Sequence, residues 1–538
     1  MVECESPLSE TLTLVVAGRA EEAARALVDR TESTARSMQA FAYFWLGQFD
    51  RSSEAADRAL TSATTDEERA LALATRALAT AGTAPTETNL VVEAVAALDS
   101  FQPDTPERAL IGYLVAEAAL AHAQLDEAVA LHEWVTRAAR LWEPHPFAAL
   151  MHAAAVRIVL FEGRVAEAEA AMPDLHAAAN TPATKLLGGA VESLVRGNAA
   201  DIESTQQLLT AIINADVNLA DHLGRGILLL GAFGALAVGD AIRSADLILA
   251  AGRDAGLSAF TVIDCALGLE VLVVGSIESG DADAAHAWAA QADARAEHPI
   301  AGPTVDRLRA RIALLNGENE RVSELAERSA LACRKQRRVI EAAESEVVLG
   351  RARIADHNIA AASRTLRELV AEADLRGHRS VRLIAGQELS RIQRRLPPVA
   401  GQGWSGLSDR ETQITNLILQ GNDTVPMARA LGISPHTVRV HTSRILAAFG
   451  VGTRIQLVAR FGETLPESTS TTDQLTPRQR EVVSRAADGA SNAEIAAELG
   501  IGVKAVEKHL AAASERLGAR SRLDLITRWR APSGSETR

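Results

Sequence analysis

The residues of this chain whose types and spacing could do chemistry lie between positions 401 and 538, and the chemistry is hydrogen bonding rather than bond making. After Ser434-Pro435, the residues Val438, His441, Ile445 and Phe449 recur at helical spacing and should pack inward on one face. Arg439, Val440 and Ser443 then point away from that face, with His436 and Thr437 near the start of the same helix. An arginine held this way can donate two hydrogen bonds to a guanine edge in the major groove of DNA.

The elements that must hold such a helix are written twice. A segment beginning LSDRETQITNLILQG at Leu407 recurs as LTPRQREVVSRAADG at Leu475, at a constant shift of 68 residues. Leu407, Arg410, Gly421, Ala428, Leu431, Gly432, Ile433, Val438, His441, Gly450, Arg454 and Leu457 recur as Leu475, Arg478, Gly489, Ala496, Leu499, Gly500, Ile501, Val506, His509, Gly518, Arg522 and Leu525. In the second copy Thr476-Pro477-Arg478-Gln479 predicts a capped helix running to about Gly489. Ser491-Asn492-Ala493-Glu494 predicts a second capped helix ending at Gly500, and Val503 to Leu517 a third, closed by Gly518, with a fourth after Ser521. The first copy follows the same plan, with Ser408-Asp409-Arg410-Glu411 as its capping box and Ser434-Pro435 opening its third helix. A short helix, a tight turn and a longer helix form the arrangement that lays the last of these in the major groove. His441 and His509 occupy inward positions and are expected to be packed, hydrogen-bonded residues rather than ligands.

Both copies resemble the LuxR-type helix-turn-helix of bacterial transcription factors. The second carries this pattern in LTPRQ, SNAEIAAELGI, VEKH, RLG and SR, the first in LSDRE, ARALGIS, HTVRVH, FG and TR. The resemblance implies a four-helix domain, DNA binding as a dimer, and control of transcription. By family position it places DNA contacts on His436, Thr437, Arg439, Val440, Ser443 and Arg444 in the first copy, and on Lys504, Glu507, Lys508 and Ala511 in the second. Arg439, Val440 and Ser443 correspond to Glu507, Lys508 and Ala511; glutamate repels phosphate but can accept from cytosine, so two unlike half-sites are expected, with the first head the stronger binder. Two departures stand out. Pro426 replaces a residue of the second helix of the first copy and is tolerable only in a first helical turn, and Ala513 thins the core of the second copy. The intervening ETLPESTSTTD, residues 463–473, reads as a linker. Its stretched reach of roughly 35 Å is close to the ~34 Å of one DNA turn, so the heads could act as an intramolecular pseudo-dimer, or each could pair with its counterpart in a homodimer.

The first 400 residues read differently. A small residue followed by polar ones recurs at Gly18, Gly47, Gly82, Ala123, Gly163, Gly197, Gly239, Gly280, Gly317 and Asp356, at intervals from 29 to 42 residues. An apolar helical run precedes each marker and an amphipathic run follows it. This predicts paired helices with left-handed caps, stacked so that each pair covers its neighbour's apolar face. The pattern resembles tetratricopeptide-like repeats over most of residues 8–395, a solenoid whose concave face would take a protein or small-molecule effector. Trp45, Trp134, Trp142 and Trp288 could line that groove but are expected to be packing residues, and Arg334-Lys335-Gln336-Arg337-Arg338 is expected to be a solvated helix face. A solenoid followed by this DNA-reading motif also resembles the large ATP-dependent LuxR regulators of the maltose-activator type, but no glycine is followed by lysine, so their phosphate-binding loop is missing.

Bulk properties agree with an all-α protein: alanine is abundant, aromatic residues make up 3%, and helix propensity is high. Net charge is −14, unevenly spread: residues 401–538 carry 17 Lys/Arg against 14 Asp/Glu, the rest 38 against 55. Cys4, Cys265 and Cys333 are too far apart for a zinc or disulfide framework, the acidic N-terminus lacks a signal-peptide pattern, and Gly226–Gly239 is too short to span a bilayer. A cytoplasmic protein with no catalytic, metal or cofactor constellation is expected. The domain reading is a solenoid over 1–396, a linker over 397–404, a first head over 405–462, a linker over 463–473, a second head over 474–530 and a tail over 531–538. The expected function is a sequence-specific regulator binding double-stranded promoter DNA. Its alternative is an interaction scaffold whose degenerate heads only dimerise.

Overall fold

A computed structural model describes residues 7–82, 89–394, 403–461 and 475–530, apart from 253, 255 and 489. The expected linkers at 397–404 and 463–473 and the tail at 531–538 lie almost wholly outside the described residues, as does Gly489. The chain forms two compact units, 1–395 and 396–538, and every regular element among the described residues is a helix. None of those helices is long and apolar enough to cross a membrane.

Among its described residues the first unit holds 22 α-helices between Pro7 and Arg391. Their starts are fixed by side chains that satisfy otherwise unpaired backbone N–H groups: Thr65 and Glu68 form a capping box, and Thr105, Thr181, Asp221 and Thr261 each accept from the third residue on. Small residues bring paired helices close. Ala55, Ala56, Ala190 and Ala235 are fully buried, and Ser52 and Ser244 donate to the carbonyls of Ala40 and Ala232, each 12 residues earlier on the facing helix.

Left-handed turns fall at Gly18, Gly47, Gly163, Gly239, Gly280 and Gly317, and Ala123 adopts the same conformation at φ +50°. Three markers need correction. The helix from Pro182 runs through Gly197 to Asn198, so the left-handed residue is Ala200. Likewise His357, not Asp356, makes its turn. Gly82 is not left-handed; its missing side chain makes room for the Phe49 ring, which a Cβ would meet at 2.2 Å.

The solenoid closes on itself. The Arg225 guanidinium donates to the Trp45 carbonyl at 3.2 Å, the Val262 N–H to the Ala81 carbonyl at 2.9 Å, and the Arg376 guanidinium to the Glu162 carbonyl at 2.8 Å. The two arginine contacts join segments 180 and 214 residues apart, so successive superhelical turns touch. Arg334, Lys335 and Arg337 are exposed, as expected of a solvated face, but ion pairs hold Arg334 and Arg337 and Arg338 is buried. The helix ends at Lys335, Arg334 pairs with Glu346 and Glu372, Arg337 turns toward Asp126 and Glu162, and Arg338 is 3% exposed. Trp45 and Trp142 are buried packing residues, and Trp134 and Trp288 pack half-buried on the same core.

The second unit contains the two repeats. The first forms α1 (Asp409–Leu419), α2 (Thr424–Leu431), α3 (Pro435–Ala448) and α4 (Arg454–Phe461). The second forms α5 (Pro477–Ala487), α6 (Asn492–Leu499), α7 (Val503–Arg516) and α8 (Arg522–Arg530). One continuous hydrophobic core runs through both, from Ile414, Val438 and Ile445 to Val482, Val506 and Ile526.

Candidate nucleic-acid interface

The two heads share a framework that holds α3 and α7. Ser408 and Thr476 cap α1 and α5, with Glu411 and Gln479 reaching back to complete each capping box. Gly432 at φ +62° and Gly500 at φ +63° end the second helix of each head in the left-handed conformation that gives the tight turn. Arg410 and Arg478 lock that turn: each donates to the final carbonyl of the second helix, Leu431 or Leu499, at 2.9 Å. The recurrence of these arginines was visible in the sequence, but their partner was not, since a backbone carbonyl has no sequence signature. On the inner face of α3, Val438, Ile445 and Phe449 are buried, as are Val506, Leu510, Ala513 and Leu517 on and just beyond α7.

The outer faces carry the residues expected to meet DNA. His436, Arg439, Val440 and Ser443 are exposed on α3, and Lys504, Glu507, Lys508 and Ala511 are exposed on α7. Val440 keeps 47% of its surface open. Thr437 is half-buried; its backbone N–H donates to the capping hydroxyl of Ser434 at 3.0 Å. Arg444 is drawn inward: its guanidinium lies 3.3 Å from the Glu411 carboxylate. His441 sits beside the same carboxylate at 3.5 Å, packed as expected but in ion-pair range rather than tightly hydrogen-bonded. Burial works against the charged form of Glu411. Hydrogen bonds from the backbone and hydroxyl of Ser408 and the charge of Arg444 outweigh it, holding the carboxyl below its usual range. In the second head Gln479 takes this place and accepts from Arg516 at 2.9 Å, while His509 is half-buried.

The heads also differ at the second helix. Ser491 and Glu494 form a capping box on α6, whereas Asp423 makes no side-chain cap on α2, where Pro426 occupies the first turn. Arg454 and Arg522 bind the start of these helices in both heads, reaching Thr424 at 3.4 Å and Asn492 at 2.6 Å.

The heads are joined directly. α4 of the first packs on α8 of the second and touches α5. The turn after α1 closes on α8 so tightly that a Cβ at Gly421 would lie 3.0 Å from the Cα of Asp524. The repeat allows the two heads to pair but does not show which helices would meet, because α4 and α8 are short and carry no distinctive pattern.

Residues 405–461 and 473–529 each match the family model described as bacterial regulatory proteins, luxR family. A 75-residue stretch is 32% identical to an HTH-type transcriptional regulator of Mycobacterium bovis, covering 14% of this chain and 8% of the relative; a Mycobacterium tuberculosis regulator matches to the same extent. The chain therefore spans only a small part of the length of these relatives. The tetrathionate response regulatory protein TtrR of Salmonella typhimurium is 27% identical over 161 residues, 27% of this chain and 72% of that one. A solved structure, the APC/C hetero-tetramer Cut9-Hcn1, aligns over 70% of this chain and 84% of that chain at 13% identity and a TM-score of 0.39. The paired C-terminal segments, with their repeated turn, capping and outward-facing α3 and α7, are LuxR-family helix-turn-helix domains.

Proposed function

We propose that this chain is a sequence-specific transcription regulator whose two heads act as one intramolecular pseudo-dimer on two unlike half-sites, under the control of what the solenoid binds. The observation that carries this reading is the α4–α8 junction within one continuous core, which supplies inside one chain the pairing that a single-headed protein must find in a second copy. Unlike half-sites follow from the outer faces, Arg439, Val440 and Ser443 on one helix against Glu507, Lys508 and Ala511 on the other.

The test is stoichiometry on a footprinted site. Sedimentation of the full chain with a duplex carrying its footprint should give one chain per duplex, with protection over two adjacent major-groove segments. Two chains per duplex would assign the pairing to homodimers instead. The scaffold reading would follow from retention of DNA that is weak, salt-sensitive and blind to sequence.

A further inference from the structure

The first unit holds a partly open cavity of about 160 Å³. The first helix of one pair after another contributes to it, 106–121, 148–161, 182–198, 222–237, 262–278, 302–315, 339–355 and 379–391, together with the short helix 125–130. One wall is apolar, formed by Leu120, Phe161, Leu194, Phe233, Leu236 and Leu267. The other is charged, and its charges are almost all matched. Arg307 forks onto Glu270 and reaches Glu341 at 3.1 Å; Arg311 bridges Glu270 and Glu344, both at 2.9 Å; Arg338 closes onto Glu341 at 2.7 Å. Partners in this ladder mostly stand one repeat apart, so it locks neighbouring helix pairs and its arginines are committed to structure.

Asp264 is the exception. It lines the same cavity, and of the charged lining residues it is the fourth acid against three arginines. Among the described residues its carboxylate accepts one side-chain hydrogen bond, from the Thr261 hydroxyl at 2.7 Å. Arg157, whose charge reaches it, is spent on an ion pair with Glu117. A half-buried carboxylate short of a cationic partner is costly to keep, and a bound cation would relieve it.

We infer that this cavity is a binding site for a small amphipathic amine, with its ammonium group on Asp264 and its apolar body along Leu120, Phe161, Leu194, Phe233, Leu236 and Leu267. The direction of titration agrees. Burial pushes the Asp264 carboxyl up, against the Thr261 hydrogen bond and the Arg157 charge, as expected for a carboxylate that lacks its counter-ion. This deepens the reading of the solenoid as an effector-controlled unit, but binding here is measured without DNA, so its failure and that of the DNA-reading proposal are separable.

Three probes of equal chain length, hexylamine, hexanol and hexanoate, distinguish the possibilities by calorimetry on the full chain. Hexylamine should bind at least about tenfold more tightly than hexanol, hexanoate more weakly than either, and Asp264→Asn should bring hexylamine to the level of hexanol. Leu194→Trp, which fills the apolar wall, should abolish hexylamine binding while helicity is retained, and serves if Asp264→Asn does not fold. Equal binding of the three, preference for hexanoate, binding undisturbed by Leu194→Trp, or no binding of hexylamine would each overturn the inference.

Discussion

The two heads share a chain fold and part at the surface, and the contrast separates what the domain needs from what it reads. The residues that repeat build the frame: Arg410 and Arg478 on the last carbonyl of the second helix, Gly432 and Gly500 at the left-handed turn, Val438 and Val506 in the core. Three places where the residues do not repeat matter most. They are the exposed face, the cap of the second helix, and the packing beneath the third helix, where Ile445 in one head is answered by Ala513 in the other. Duplication thus conserves a scaffold and leaves the reading surface free to diverge.

The sharpest way to break this comparison is in the core. Ile445→Ala removes a fully buried side chain and should cost about 2–5 kcal/mol in urea unfolding, whereas Ala513→Gly should cost only about 1 kcal/mol; equal losses would mean that the two cores are packed alike. Next comes the reading face. Arg439→Ala should weaken DNA binding about 10–100-fold, as expected for loss of a bidentate base contact worth about 1–3 kcal/mol, and Lys508→Ala less than about fivefold, as expected for a single charge; equal losses in an anisotropy titration would contradict unlike half-sites. A smaller difference lies at the second-helix caps. Ser491→Ala should cost about 1 kcal/mol and Asp423→Ala a few tenths at most, because Ser491 caps α6 and Asp423 makes no side-chain cap on α2.

The smallest difference is in acid. Glu411 is held below its ordinary value of 4.5, so its contribution is complete above that value and is lost as pH falls through the lowered one; Gln479 does not titrate. Hydrogen exchange below about pH 4.5 should therefore loosen α1 and α3 before α5 and α7. Loosening of both heads together, or persistence of the same selective loosening in Glu411→Gln, would remove Glu411 as the cause.

Much of the second unit was legible in the sequence because its signals are local. Capping boxes at Ser408, Thr476 and Ser491, the turn glycines and the inward spacing of Val438, Ile445 and Phe449 are all set by neighbours within a few residues. The same locality explains the near misses in the solenoid. A glycine in a helical run signals a turn, yet the helix continues past Gly197 and Ala200 takes the strained position. The run Arg334–Arg338 is largely exposed as its charge suggests, but its ion pairs with Asp126, Glu162 and Glu372 and the burial of Arg338 were hidden because the partners are remote in sequence. Non-local packing also hid the inward turn of Arg444 onto Glu411, the α4–α8 junction, and the cavity that gathers side chains from nine helices.

The most direct test of two unlike heads working as a pair is selection of binding sites from random DNA by the full chain and by Arg439→Ala, with the stoichiometry of each selected complex measured. The account predicts a motif of two different halves bound by one chain, one half relaxing in the variant while the other persists. A palindromic motif bound by two chains, or a motif unchanged by the substitution, would contradict it.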